Sequence, residues 1–201
     1  IKEGDIVVLA PEYDHFYGSF VYGGEELLRT VVDVTFLPLK LPQVKNIYKF
    51  IPKLALSKLN PIEYFGFNES DIYSVNSFNE YGDVYTHWGM KQRVFSPDEI
   101  LTNYNPHTID LINDFRIKLD KKRAILYVTY PGYQASSFDK KIKQIKKIEK
   151  ELLNSKFELL GTPERYRMSD TLMFDTSYHL SKEGINYRTQ LLIEDIRNIK
   201  N

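Results

Sequence analysis

Asp175 and His179 form the strongest catalytic pattern in the sequence, because an acid and an imidazole stand four residues apart in a turn that precedes a helix. At this spacing a carboxylate can hold the imidazole in one tautomer while the other ring nitrogen faces a nucleophile. Histidine can also move a proton near neutral pH. The pattern predicts a general base oriented by an acid. From these residues alone, an Asp–His pair that is close by chance in a loop stays open as the alternative.

A second polar group follows the first apolar strand, and we expect Glu12, Tyr13 and His15 to contact a substrate. Glu12 could hold a substrate hydroxyl or orient a loop; the alternative is an acid that caps the next turn. One His with two acids, Glu12 and Asp14, is a thin ligand set without a partner motif, so we predict no metal site. No glycine-rich phosphate loop follows any strand, so a nucleotide binder is disfavoured and no cofactor is expected.

An aromatic segment in the middle of the chain is a further candidate for binding substrate. Residues 77–88 combine Asn, Asp and Tyr with His87 and Trp88. Aromatic faces can stack on the apolar faces of sugars while polar side chains bind the hydroxyls. The alternative is that these rings pack a loop onto the domain.

Two arginines stand shortly before the Asp–His turn. Arg165 and Arg167 could meet an anionic group of a substrate, since a guanidinium matches a carboxylate or phosphate in geometry. The alternative is that they pair with the neighbouring acids Glu164 and Asp170. The sequence leaves both interpretations open.

The elements that must position these residues alternate between strands and helices. Apolar runs ended by Pro or Gly predict strands of a buried parallel sheet over residues 5–10, 124–130 and 157–160. Between the last two strands, an apolar stripe at helical spacing predicts a helix capped by Ser136 or Ser137, with six Lys between 140 and 150 on its solvated face. Helices are also predicted over 20–34 and after Ser181, whereas about 58–106 reads as an irregular insertion. This order predicts an α/β fold.

Three stretches in this order resemble bacterial members of the SGNH (GDSL-type) hydrolase superfamily: residues 4–18, Tyr130-Pro131-Gly132-Tyr133, and Asp175-x-x-Tyr178-His179-Leu180-x-x-x-Gly184. The last stretch is the specific one, and its Asp–His spacing is one residue longer than the usual Asp-x-x-His. The resemblance implies a three-layer α/β/α, flavodoxin-like fold with a mainly parallel sheet, in a single domain over 1–201. It also implies that Asp175 and His179 are two members of a Ser-His-Asp triad.

Two departures from the family pattern change what the resemblance implies. The family's nucleophile stands in a Gly-Asp-Ser block at the end of its first strand, and this chain has no such block. We therefore expect the first strand and the Ser to lie upstream of Ile1. The second departure is Glu12, which stands about where the family has an oxyanion-binding Asn. A carboxylate repels an oxyanion unless it is protonated, so the usual oxyanion binding is in doubt.

The resemblance implies an ester hydrolase or acyltransferase that acts on a small-molecule ester or an O-acylated glycan. The alternative is a non-catalytic module of the same fold that binds a glycan or a partner protein. An exported substrate would favour a location outside the cytoplasm or a membrane anchor upstream, but no targeting signal assigns a compartment.

The composition narrows the function classes. The 201 residues include 27 basic and 27 acidic ones, a balance that argues against a non-specific nucleic-acid binder. The absence of Cys excludes a thiol nucleophile, and no apolar run approaches the length of a membrane span. Tyr and Phe are abundant, at 15 and 12 residues, which is more than a core alone requires.

Overall fold

A computed structural model describes residues 1–25, 27–28, 39–59, 72, 77–93 and 95–199. The chain divides into two compact units. The larger unit comprises Ile1–Gly18 with Gly89–Asn201, and the smaller unit comprises Ser19–Trp88. That the whole of 1–201 forms one SGNH-like domain stays a prediction.

The larger unit carries all the strands and three helices of the described ranges. The strands are Ile6–Leu9 (β1), Ile125–Thr129 (β2), Tyr133–Gln134 (β3), Glu158–Leu160 (β4) and Arg167–Met168 (β5). The helices, numbered along the whole chain, are Leu41–Ile47 (α1) and Ile51–Lys58 (α2) in the smaller unit, followed by His107–Asp120 (α3), Ala135–Leu153 (α4) and Lys182–Ile199 (α5). None of the helices described is long and apolar enough to cross a bilayer.

The three predicted strands form one parallel sheet in the order β1-β2-β4. Ile6 pairs with Ile125 at one end of the sheet, and Thr129 pairs with Leu160 at the other. The central strand β2 is the most buried, with Val128 fully enclosed, as expected for a parallel strand with neighbours on both sides. A separate two-stranded parallel sheet joins β3 to β5. The predicted α/β class with mainly parallel strands is therefore confirmed.

Helix α4 buries the apolar stripe that its spacing predicts. Phe138, Ile145, Ile148 and Leu152 are all almost completely enclosed in the core, and Ile142 packs against them. The lysines lie largely on the exposed face, with one exception: Lys141 is only 3% exposed. The helix begins at Ala135, so neither Ser136 nor Ser137 caps it.

Helix α5 begins as predicted, after Ser181. The Ser181 side chain accepts a hydrogen bond from the backbone N–H of Gly184 at 3.2 Å, which satisfies one of the unpaired donors of the first turn. Gly184 lies tightly against Leu172, and a Cβ at this position would meet the Leu172 carbonyl oxygen. The start of α5 is therefore fixed against the segment that carries the predicted base.

Two regions differ from the sequence prediction. Helix α3, which packs against β2, was not predicted, although Ile112 and Leu119 lie buried on one face. Of the predicted helix over 20–34, residues 20–22 form a separate single turn, and helix begins at Glu25; residues 26 and 29–34 lie outside the described residues.

The predicted insertion, about 58–106, is only partly described. Over 77–93 and 95–106 it contains turns and isolated bridges, whereas Lys58 is the last residue of α2. Residues 60–71, 73–76 and 94 lie outside the described ones. In the smaller unit, α1 and α2 bury Ile47 and Leu54 against Leu28 in a separate apolar cluster.

Candidate functional site

Asp175 and His179 make the contact that the sequence predicts. His179 Nδ1 lies 2.9 Å from Asp175 Oδ1, in the loop that leads into α5. The His179 side chain is 44% exposed, whereas the carboxylate beside it is 11% exposed. A shielded acid that contacts a more exposed imidazole is the arrangement of a base and the acid that orients it.

The loop that carries the pair is closed by its own backbone. Met173 and Leu180 form an antiparallel bridge, and the Phe174 N–H donates to the His179 carbonyl at 2.7 Å. Inside the loop, Thr176 Oγ1 accepts hydrogen bonds from the N–H groups of Tyr178 and His179 at 3.3 and 3.1 Å. These bonds hold the first and last residues of the loop side by side, which is why two side chains four apart can meet.

The opposite side of the loop is buried and polar. Ser177 is 1% exposed, and its hydroxyl lies 2.8 Å from Asp98 Oδ1 and 3.1 Å from Gln134 Oε1. Its carbonyl accepts from the Gln134 N–H at 3.0 Å. Ser177 therefore anchors the loop to β3. Since its hydroxyl is enclosed and committed to these acceptors, it is a poor candidate for a nucleophile.

Tyr178 ties the loop to the turn after β1. Its hydroxyl donates to Asp14 Oδ1 at 3.2 Å and accepts from the Asp14 N–H at 3.3 Å. Its ring lies against Tyr133, with 4.6 Å between the ring centroids. Burial, followed by the charge of Asp14, raises the pKa of Tyr178 well above its ordinary value, so this hydroxyl is a neutral donor at neutral pH.

Lys141 is the charged centre of this buried side. Its ammonium lies 2.9 Å from Asp14 Oδ1 and 3.6 Å from Asp98 Oδ2. Asp98 also accepts from the Tyr133 hydroxyl at 2.7 Å. Burial, followed by the hydrogen bond to Asp98, raises the pKa of Tyr133 above its ordinary value. One cation thus joins the turn after β1 to the segment that contacts Ser177.

A cavity of about 290 Å³ lies at the carboxyl ends of β1 and β2, where parallel sheets commonly bind ligands. The residues that follow the two strands, the two neighbours of His179, and two residues of α5 form its wall: Ala10, Glu12, Pro131, Gly132, Tyr178, Leu180, Ile185 and Arg188. The cavity therefore adjoins the segment that carries the predicted base. Glu12, a predicted substrate contact, lies in its wall.

Arg188 and Glu12 are the charged residues of the cavity wall. The Arg188 guanidinium donates to the Tyr130 carbonyl at 3.4 Å and lies 5.5 Å from the centre of the Tyr166 ring. Burial lowers the pKa of Arg188 from its ordinary value, but a guanidinium stays charged at neutral pH. Within the described ranges no carboxylate lies within ion-pair distance of it.

Glu12 is half-buried just before the single turn Tyr13–Phe16, and its side chain makes no capping bond to that turn. Tyr13 itself is 2% exposed and packs edge-on against Tyr133, with the ring centroids 5.2 Å apart. Its ring therefore lies in the core and not in the cavity wall. His15 is half-buried on the same turn, and it too lies outside the wall.

His87 and Trp88 lie in the smaller unit. His87 is 8% exposed, and the Trp88 ring packs edge-on against Tyr85 at 6.3 Å between centroids. The neighbouring rings of Phe78 and Tyr81 are largely exposed. Among the described residues, no group of three His, Cys, Asp or Glu could hold a metal ion.

The two arginines before the loop pair with acids other than those predicted. Arg165 contacts Glu194 and Asp195 of α5, at 2.7 Å each. Arg167 contacts Asp139 of α4 at 2.5 Å. Of the neighbours in sequence, Glu164 contacts Lys146 and Asp170 accepts a hydrogen bond from the Ser136 N–H, both on α4.

Comparison of the chain with protein-family models, with curated proteins and with solved structures gave no match. The interpretation of the site therefore rests on the residues and their geometry. Sequence reasoning missed Lys141, Asp98 and Arg188. For Lys141 a signal existed, since it stands three residues after Phe138 and four before Ile145, on the apolar stripe of α4.

Proposed function

We propose that this chain carries the His–Asp part of an SGNH-type serine ester hydrolase or acyltransferase that acts on O-acylated carbohydrate. The observation that supports it is the 2.9 Å contact between His179 and Asp175, in a loop that also lines a cavity at the carboxyl ends of parallel strands. A flavodoxin-like, three-layer architecture is part of the same proposal. The order of its strands and helices fits a fold in which loops after the strands carry the chemistry.

In the proposed mechanism a serine, located upstream of Ile1, attacks the acyl carbonyl. His179 removes the hydroxyl proton as the bond between the serine oxygen and the acyl carbon forms. It then donates this proton to the alcohol oxygen of the sugar as the ester bond to the sugar breaks. Water, or the hydroxyl of an acceptor, then attacks the acyl-serine, and His179 again takes and returns the proton. Asp175 keeps its negative charge throughout and stabilises the imidazolium.

The test is turnover of a short-chain ester reporter by the protein together with its upstream sequence. We expect His179→Ala to lower kcat by on the order of 10⁴-fold or more, since removal of a triad member has effects of this size. The matched control is His107→Ala, because His107 also faces an acid, Asp110, at 3.5 Å, but on the surface of α3. This control should leave turnover unchanged. Equal turnover by the parent protein and His179→Ala would refute the proposal.

A non-catalytic module that binds a glycan is the second candidate. The exposed rings of Phe78, Tyr81 and Tyr85 favour it, since aromatic faces on a surface can stack on sugars. The upstream sequence discriminates between the two candidates. A strand followed by Gly-x-Ser supports the enzyme, whereas another residue in place of the Ser supports the binding module.

A further inference from the structure

We propose that the cavity beside the Asp175–His179 pair is a subsite for an acidic sugar, with Arg188 binding its carboxylate and Glu12 accepting hydrogen bonds from its hydroxyls. The proposal deepens the proposed function, since it names the substrate class of the same site. It can nevertheless be tested without any ester chemistry.

Arg188 is the first reason. It is half-buried, stays charged, and has a carbonyl and a ring as its described partners, with no carboxylate in reach. Arg165, which contacts the same helix, has two acids at 2.7 Å. A charge taken out of water without a counter-charge costs free energy, and an anionic ligand that enters the cavity would supply that counter-charge. The planar guanidinium fits a carboxylate with two parallel hydrogen bonds.

Glu12 is the second reason. Its side chain lies in the same wall, makes no capping bond, and forms no ion pair with Arg188. The hydroxyls of a sugar could donate to this carboxylate in place of water. A neutral sugar, however, would leave Arg188 without a counter-charge. A sugar that carries a carboxylate offers both groups at once.

The size and wall of the cavity limit the ligand. A volume of about 290 Å³ lies at the lower end of small-molecule sites, which suits one sugar ring better than several. Gly132 brings the backbone close to the charged side chain. A Cβ at this position would lie 2.9 Å from Arg188 Cδ and 3.0 Å from Leu180 Cδ1. A residue larger than Gly would therefore force the Arg188 or the Leu180 side chain to move.

The test compares D-glucuronate with D-glucose, which differ only in the carboxylate at C6, by NMR titration of the isotopically labelled 201-residue chain. We expect the unmodified chain to bind D-glucuronate at least tenfold more tightly than D-glucose, with shifts at Gly132, Tyr178 and Leu180. Arg188→Met should reduce this ratio to about one. The matched control Arg116→Met removes a guanidinium from the surface of α3, outside the cavity wall, and should leave the ratio unchanged.

Equal affinity of the unmodified chain for the two sugars would overturn the proposal even if Arg188→Met failed to fold. An unchanged ratio in a folded Arg188→Met chain would overturn it as well. Glu12→Ala should weaken the binding of D-glucose and should not lower the ratio, because it removes an acceptor for the hydroxyls and also a like charge near the carboxylate of D-glucuronate. His179→Ala should abolish ester turnover by the protein with its upstream sequence and leave the ratio of the 201-residue chain intact, so that failure of the subsite and failure of the proposed catalysis can be told apart.

Discussion

Lys141, which is buried, and Arg188, which is half-buried, are two cations that lie beside tyrosine rings in the larger unit, and they differ in their counter-charges. Lys141, on α4, lies 5.9 Å from the centre of the Tyr133 ring and contacts Asp14 and Asp98. Arg188, on α5, lies 5.5 Å from the centre of the Tyr166 ring, and none of the described carboxylates pairs with it. The first cation is neutralised within the fold, whereas the second faces a cavity.

The difference in counter-charge indicates that Lys141 has a role in stability and Arg188 a role in ligand binding. A buried cation with two carboxylates links segments that are far apart in sequence, and removing its partners leaves a charge without compensation. A half-buried cation without a carboxylate costs some free energy in the folded state, so its replacement by an apolar side chain carries little penalty. We therefore expect substitutions at the first site to alter mainly stability, and those at the second to alter mainly ligand binding.

The largest expected effect comes from removing both partners of Lys141. Asp14→Asn with Asp98→Asn leaves an ammonium that is 3% exposed without a counter-charge, and should lower the free energy of unfolding by about 3–5 kcal/mol. Urea denaturation at neutral pH measures this loss. Adding Lys141→Met to the pair should restore most of it, because the triple variant buries no charge. If the triple variant were no more stable than the double variant, the charge would not be the cause.

A smaller effect is expected from Tyr178→Phe, which removes the hydroxyl that contacts Asp14. The loss of one buried hydrogen bond should cost about 1 kcal/mol of stability. If the loop orients His179, kcat of the active protein should fall while KM changes little. Tyr187→Phe is the control, since Tyr187 is 51% exposed on α5. A fall in stability with no change in kcat would limit Tyr178 to a structural role.

Arg188→Met should change stability by less than about 1 kcal/mol in either direction, because it breaks no ion pair among the described residues. Urea denaturation would test this against the Lys141 variants. A loss comparable with that of the Asp14 and Asp98 double variant would mean that Arg188 is as strongly tied to the fold as Lys141. The distinction between the two cations would then fail.

The smallest effect concerns the tyrosine beside Arg188 at high pH. Burial, followed by its hydrogen bond to Asp195, raises the pKa of Tyr166 from 10.0 to about 12. The stability that this shift contributes is complete below pH 10, where the unfolded chain also holds the proton. It is lost as the pH rises from 10 to about 12. The melting temperature of Tyr166→Phe should therefore fall less steeply over this range than that of the unmodified chain. A parallel fall would contradict this.

The parts of the fold set by local pattern could be predicted from the sequence. The β-branched runs of β1 and β2, the stripe of α4 and the Ser181 cap each depend on residues that are close in the chain. The Asp175–His179 contact could also be predicted from the sequence, because the six residues between Met173 and Leu180 form a short loop that brings the pair together.

The missed features depend on distant packing. Lys141 interrupts the apolar stripe of α4, but its counter-charges Asp14 and Asp98 lie 127 and 43 positions earlier in the chain, where no local pattern marks them. Arg188 stands among polar residues of α5, so nothing local marks it as the residue that reaches the cavity. Arg167 pairs with Asp139 because α4 and β5 are packed together, a neighbour relation that spacing does not reveal.

The 173–180 loop is closed by backbone contacts, so side chains inside it can be replaced without removing those contacts. Its ends are fixed by the Met173–Leu180 bridge and by the bond from the Ser181 N–H to the Leu172 carbonyl at 2.8 Å. The side chains of the inner residues Asp175 and His179 take no part in these backbone contacts. A different pair of catalytic side chains could therefore be designed at positions 175 and 179. The backbone of the loop, which also lines the cavity, would stay the same.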